Sequence, residues 1–224
     1  MIDFHTHTVF SDGELIPSEL VKRAKDKGYR AIAITDHADF SNLEIILNNI
    51  KKVTYGLEKY YGLYVFCGVE ITHVPPQLIK NTILSARQLG AEIVVVHGES
   101  PVENVAKSTN IYAIESFCDI LAHPGLIGQK EVELAVKNNV YLEITARSGH
   151  SLTNGHVFQM SKKYNAKCVI NTDTHSPYDL IDINFAKTIL YGCGMNENEV
   201  NEAFYNSEVL LEKILKRRFM CSKK

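Results

Sequence analysis

The chain has 224 residues, 45% hydrophobic and 22% charged, with a formal net charge of -2. That is the balance of a soluble globular protein long enough to bury a core without disulfides or a structural metal, and it excludes recruitment to nucleic acid or anionic membrane by bulk charge. The five cysteines (Cys67, Cys118, Cys168, Cys193 and Cys221) contain no CxxC pair, so free thiols in a reducing compartment, most of them small core hydrophobes, are expected rather than a disulfide framework or thiolate zinc site.

The start, Met1-Ile-Asp-Phe-His, carries charge at once, and no targeting segment is read there; a cytoplasmic chain is expected. Ile2 to Phe4 is the first β-branched or aromatic run. Pro17 then opens a helical segment, Ser18 to Lys27, that Gly28 stops. The second run is Ala31 to Thr35. A helix-period stretch from Asn42 to Tyr61 ends near Gly62, and the third run, Tyr64 to Ile71, follows. Pro75 to Leu89 reads as a helix ended by Gly90, and Glu92 to Val96 as the fourth run. Its apolar core, Ile93 to Val96, is far too short to span a bilayer. Pro101 to Phe117 lacks a clean period and is expected to be a short helix plus an irregular link. Asp119 to Ala122, Val140 to Thr145 and Lys167 to Thr172 are the remaining runs. Gln129 to Lys137, His156 to Tyr164 and Asp179 to Leu190 are the intervening helices, and residues 196–218 form one or two closing helices. Several runs are apolar on both faces, as in a buried parallel sheet. Seven βα units predict an α/β fold, a barrel-like single domain over residues 1–224.

Each run ends on a residue able to bind metal. These are His5 and His7 with Asp12 beyond, Asp36-His37, Glu70, His97, His123, Glu143, and Asp173 with His175. In α/β barrels the carboxyl ends of the strands converge on one face, so residues far apart in sequence meet there. Residues i and i+2 of a strand share a side, which lets His5 with His7, and Asp173 with His175, reach one site. A lone HxH arises by chance, and a lone strand-end histidine is usually structural. Six of nine histidines at successive strand ends beside three acids are not explained that way.

The order HxH (His5-Thr6-His7), SDG (Ser11-Asp12-Gly13), TDH (Thr35-Asp36-His37), VE (Val69-Glu70), VVH (Val95-Val96-His97), AHPG (Ala122-His123-Pro124-Gly125) and DTH (Asp173-Thr174-His175) resembles the PHP (polymerase and histidinol phosphatase) superfamily of metal-dependent phosphoesterases. The resemblance implies a distorted (β/α)7 barrel with two or three divalent ions. On it, His5, His7, Glu70 and Asp173 hold one ion. Glu70 bridges to a second shared with His97 and His123, and Asp12, His37 and His175 hold a third. Glu70, His97, Asp173 and His175 would be catalytic.

Six imidazoles and three carboxylates without thiolate suit zinc, manganese or iron. Three divalent ions less three carboxylates and a bridging hydroxide leave a positive balance that matches a phosphate monoester dianion. The expected reaction is therefore hydrolysis of a small phosphorylated substrate by a metal-bridging hydroxide. Glu143 can accept a hydrogen bond from a ligand imidazole, or it can be a structural carboxylate of the barrel interior. Arg147, Ser148 and His150 follow the sixth run directly and are candidates to bind substrate, with Arg147 able to fork onto phosphate. A surface salt bridge is the competing role for Arg147. His73 is read as exposed, and His156 as a supporting or exposed loop residue.

The leading function is phosphomonoesterase on a small metabolite, with histidinol phosphate one candidate. Nuclease, phosphodiesterase or nucleotide phosphatase is the first alternative, metal-dependent C–N hydrolase the second, and a non-catalytic RNA-associated protein the third. The basic cluster Lys216, Arg217, Arg218, Lys223 and Lys224 reads as a solvated helix end rather than a nucleic-acid patch. Tyr55, Tyr60, Tyr61 and Tyr64 read as packing groups rather than a base-stacking platform.

Overall fold

The computed structural model describes residues 1–221, so Lys223 and Lys224 lie outside it, as does the side chain of Cys221. In chain order the elements are β1 (Ile2–Asp3), α1 (Pro17–Asp26), β2 (Ala31–Ile34), β3 (His37–Ala38), α2 (Leu43–Tyr61), β4 (Tyr64–Ile71), α3 (Pro76–Gln88), β5 (Ile93–His97), α4 (Thr109–Glu115), β6 (Ile120–Ala122) and α5 (Gln129–Asn138). Then come β7 (Tyr141–Thr145), a 3-10 turn at His150–Thr153, α6 (Asn154–Tyr164), β8 (Cys168–Asn171), α7 (Ile183–Gly192) and α8 (Glu197–Cys221).

Every strand pairing is parallel, in the order β1-β2-β4-β5-β6-β7-β8. β3 continues β2 along the same neighbour in unchanged register, with Ile34 opposite Cys67 and His37 opposite Glu70. The second of the seven expected runs is thus interrupted at Thr35–Asp36, where both carbonyls accept from the Glu70 N–H at 3.1 Å. β8 returns to β1 and closes the barrel. The Asp173 N–H donates to His5 O at 2.9 Å, the His7 N–H to Thr174 O at 2.8 Å, and Thr6 and Thr174 form an isolated parallel bridge. At this seam the buried Asp3 carboxylate accepts from the Thr172 hydroxyl at 2.6 Å and from the Thr172 and His5 N–H groups at 3.2 Å. Burial pushes its acid up to about 6.

Strand alternation divides the core in two. Ile32, Ile34, Val94, Leu121 and Leu142 face the helices, against residues such as Leu20, Ile46 and Ile79. Ala31, Ala33, Phe66, Ile93, Val95, Ile120 and Val169 face the lumen. Leu210, Leu211 and Ile214 of α8 join the lumen cluster, so this last helix stoppers the amino-terminal end of the barrel. The tail is one helix, and Arg217 and Arg218 do not spread into solvent as a free basic patch. Arg217 reaches Asp119 at 2.7 Å, and Arg218 reaches Glu58 at 2.8 Å and also Glu92. Residues 101–117 hold only the short α4. Tyr55 and Tyr60 lie on the solvent side of α2, against the expectation that they pack. Cys67, Cys118, Cys168 and Cys193 are free and buried, and burial raises each thiol, Cys67 and Cys168 to about 12. Among the described residues no helix is long and apolar enough to cross a membrane.

Candidate metal centre

The alternation that makes the lumen also delivers the site. The inward face of β4 runs Phe66, Gly68, Glu70; that of β5 runs Ile93, Val95, His97; that of β7 runs Tyr141, Glu143. On each strand the apolar inward positions give way to an ionisable one toward the carboxyl end. His5 and His7 flank Thr6, and Asp173 and His175 flank Thr174, the two bridge partners at the seam. A single backbone contact therefore places two pairs of donors side by side.

Donor atoms within 4.8 Å of one another form overlapping groups: His5, His7 and Glu70; His5, His123 and Asp173; His7, Asp12, His37 and His175; and His97, His123 and His150. Nearly all are buried. His37 is partly exposed, and Asp12, with 58% of its side chain exposed, faces His175 Nε2 at 3.2 Å and His37 Nε2 at 3.5 Å.

Hydrogen bonds at the rear of the rings fix which nitrogen faces the centre. A carbonyl oxygen can only accept, so His97 Nδ1–H must donate to Gly98 O (3.1 Å) and His175 Nδ1–H to Asp173 O (2.9 Å). His5 Nδ1–H donates to Glu143 Oε1 at 2.9 Å. Each of these rings then turns Nε2 inward, the tautomer a metal ligand needs. His5 Nε2 meets Glu70 Oε1 at 3.3 Å and Asp173 Oδ1 at 3.6 Å. A bare ring nitrogen facing carboxylate oxygens is repulsive unless a positive charge sits between them. His5 Nε2, both ring nitrogens of His7, Glu70 Oε1, His123 Nδ1 and Asp173 Oδ1 are buried without a hydrogen-bond partner among the described residues. Buried polar atoms left so cost about 1–3 kcal/mol each. Cations held among them would satisfy the lone pairs of the set, leaving only the one N–H that the neutral His7 ring keeps, and the residues fit such ions.

Without a cation among them, the donors compete for protons instead. Burial opposes a charge on His5, but Glu143, Asp173 and Glu70 override it and hold the ring well above its ordinary value. Burial and the charges of His37 and His5 hold His7 well below, as a neutral donor. Burial acts to raise Glu70, yet His5, His37 and His97 hold it ionised. Two candidate ligands also sit in left-handed backbone, His123 at φ 25° and Asp173 at φ 53°. Their amides are recruited by Glu143 Oε2 (3.1 Å) and His5 O (2.9 Å), so the surroundings hold strain at the site. Gly125 of the AHPG motif has φ 64°, and a Cβ there would lie 1.9 Å from Glu99 O. Only glycine fits that turn behind His123.

Glu143 also takes Asn171 Nδ2–H at 2.8 Å, so it tethers His5, the His123 amide and β8 together. Arg147 is 30% exposed, 3.8 Å from Asp173 and 3.7 Å from Asp179, at the edge of the centre. Ser148 lies exposed beside it. His150 is not with them. It is buried and stacked on His123, with centroids 4.1 Å apart, and its Nδ1 lies 2.6 Å from Ser100 Oγ. Burial and the His123 charge lower it to about 3. His156 points away, donating to Ile127 O at 2.9 Å, and His73 is half exposed.

Two residues in the site carry no role in the sequence reading. Asp36, named with His37 at a strand end and in the TDH motif but given no ligand role, accepts from the Thr8 N–H, the Thr8 hydroxyl and the Ser11 hydroxyl, each at 2.7 Å, and so pins the loop between His7 and Asp12. Glu103 faces His97 Nε2 at 3.1 Å, His150 Nε2 at 3.3 Å and His73 Nε2 at 3.5 Å. The His97 hydrogen bond holds it at about 2, against a burial that would raise it. Nothing in the local sequence marks Glu103, because it lies where no period fixes side-chain direction.

The chain is 50% identical to an uncharacterized protein of Methanocaldococcus jannaschii, over 95% of this chain and 99% of the relative. It is 27% identical to ribonuclease P protein component 3 of Methanosarcina mazei, over 96% of this chain and 88% of that one. Among solved structures, the histidinol phosphate phosphatase of Lactococcus lactis, complexed with zinc, L-histidinol and phosphate, superposes with a TM-score of 0.60. That match covers 87% of this chain and 94% of that chain at 16% identity, a likeness of fold. The model of the PHP domain matches residues 3–172, the stretch that runs from the last residue of β1 through β8 and carries all the candidate ligands before the closing pair Asp173 and His175. The chain belongs to the PHP domain family.

Proposed function

We propose that this protein is a metal-dependent phosphoesterase, and within that class a phosphomonoesterase acting on a small phosphorylated metabolite. One observation carries the reading. Imidazole nitrogens turned inward by their rear hydrogen bonds share a buried space with carboxylate oxygens that have no partner. His5, His7, Glu70 and Asp173 would hold one divalent ion, Glu70, His97 and His123 a second, and Asp12, His37 and His175 a third, with zinc, manganese or iron all suited to the donors. Bound there, such ions supply Lewis acidity and an activated water.

The chain's own groups do the rest. Glu143 and the Gly98 and Asp173 carbonyls hold the imidazoles in one tautomer and orientation. Arg147 is the cation placed to pair with a phosphoryl oxygen at the rim. A cavity of about 460 Å³ opens beside Asp12, His37 and Glu103, a size for a small substrate. The fold shared with a histidinol phosphate phosphatase supports the monoester reading. A second reading, association with RNA, draws support from the ribonuclease P protein component 3 relative.

The test is a screen of metal-reconstituted protein against phosphomonoesters, phosphodiesters and nucleotides, with a chelator control and RNA binding measured in parallel. Monoester turnover lost to chelator is expected. Glu70→Gln and His97→Ala should each abolish it while far-UV circular dichroism stays native. Wild-type turnover in both variants would refute the assignment. RNA binding without hydrolysis of any ester would favour the second reading.

A further inference from the structure

Glu103 is set apart from the other charged groups of the centre by what carries it. It lies in the segment between β5 and α4, and the base of that segment is locked. The Glu99 N–H donates to Asn110 Oδ1 at 2.9 Å, the Asn110 N–H returns to Glu99 Oε1 at 3.0 Å, and Asn110 Nδ2–H holds Pro124 O at 2.9 Å. Beyond the base, residues 101–104 are exposed. From this exposed tip the Glu103 carboxylate turns back toward the barrel, with Oε2 at 3.1 Å from His97 Nε2 and Oε1 at 3.3 Å from His150 Nε2. His97 has committed its Nδ1–H to Gly98 O, so Nε2 is the ring nitrogen that meets that carboxylate. The carboxylate thus meets the same side of His97 and His150 that would face an ion, and His123, stacked on His150, lies within their group of donors.

Building on the metal reading above, we propose that Glu103 is an exchangeable ligand of the second ion, the one assigned to Glu70, His97 and His123, with His150 beside it: the carboxylate occupies the place open to substrate there, and an incoming substrate anion displaces it. A catalytic metal keeps one position for water or substrate. Here the chain fills that position with a carboxylate that is 37% exposed and able to withdraw into solvent. The anchored base keeps its local concentration high, and the free tip lets it leave. Glu103 thus acts as a built-in competitor that sets the threshold for anionic substrate.

The experiment titrates metal-free wild type, Glu103→Gln and Glu103→Ala with Mn2+ by calorimetry, then measures inorganic phosphate binding to each at saturating Mn2+. Both variants are expected to lose about tenfold or more in affinity at one class of Mn2+ site, with the other sites unchanged, and to bind phosphate more tightly than wild type. Mn2+ isotherms that superpose on wild type, or phosphate affinity that does not rise, would overturn the role of Glu103 and leave the metal centre standing. Absence of Mn2+ binding by wild type would instead sink both readings together.

Discussion

A single carboxylate decides the chemistry of a neighbour at the residue scale. Glu143 neither faces the open mouth nor joins a donor group. Yet by accepting from His5 Nδ1–H it leaves Nε2 as the only nitrogen His5 can offer inward. Glu143→Gln keeps the shape and removes the charge that favours this tautomer. We expect metal affinity to fall about 10–100-fold, read by calorimetric titration of the metal-free chain, with secondary structure unchanged. Equal affinity in the variant would reduce Glu143 to a strut between β7 and β8. Apart from Asp12, which lies in the loop after β1, the predicted ligands were legible because each sits at or just past a strand end, so the sequence position implies the direction of the side chain. His150 and Glu103 were not legible in the same way. Their direction is set by contacts across loops, Ser100 to His150 and Asn110 to Glu99, and no local pattern encodes these.

At the scale of elements, the opposite end of the barrel has its own ionic knot. Asp119, fully buried just before β6, accepts from the Val94 N–H at 3.0 Å, from Arg217 of α8 at 2.7 Å and from Arg87 of α3. It binds the stoppering helix to the staves. Burial opposes its charge, but Arg87 and Arg217 hold it below the ordinary carboxylate range. An acid depressed in the folded state stabilises above its unfolded value and loses that stability as pH falls through the folded one. The contribution of Asp119 is therefore full above about pH 4 and drains away below it. Asp119→Asn should cost about 3 kcal/mol at pH 7, the low end for a broken buried pair because both arginines can reach water. The gap to wild type should narrow on acidification. Urea unfolding at pH 7 and pH 3 measures both, and a gap that is constant with pH would contradict the linkage. The elements were legible for a related reason: buried parallel strands and amphipathic helices have periods. The interruption at Thr35–Asp36 was not, because it arises from a shared amide on β4 rather than from residue type.

For the molecule as a whole, the candidate ligands issue from all around the barrel mouth, so any ion they bind is bound by the native state alone. Free ion at a thousandfold excess over its dissociation constant stabilises by about 4 kcal/mol. For a chain of this size each kcal/mol moves the midpoint by about 2–4 °C. Chelation should therefore lower the melting temperature by about 10 °C, checked by calorimetry with and without chelator. An unmoved midpoint would mean that no tightly held ion contributes. The closed barrel was legible as a class of fold, while the plug of Leu210, Leu211 and Ile214 was not, since a terminal helix gives no sign in sequence of which end it will cover.

The junction at Thr6 and Thr174 brings together groups made at opposite times. Ribosomes deliver His5 and His7 first, whereas Asp173 and His175 emerge only after seven further strands. An unfinished polypeptide can assemble staves and helices, but it cannot complete the donor shell. Only when the circle shuts do the groups that join His5 to Asp173 and His7 to His175 come into being.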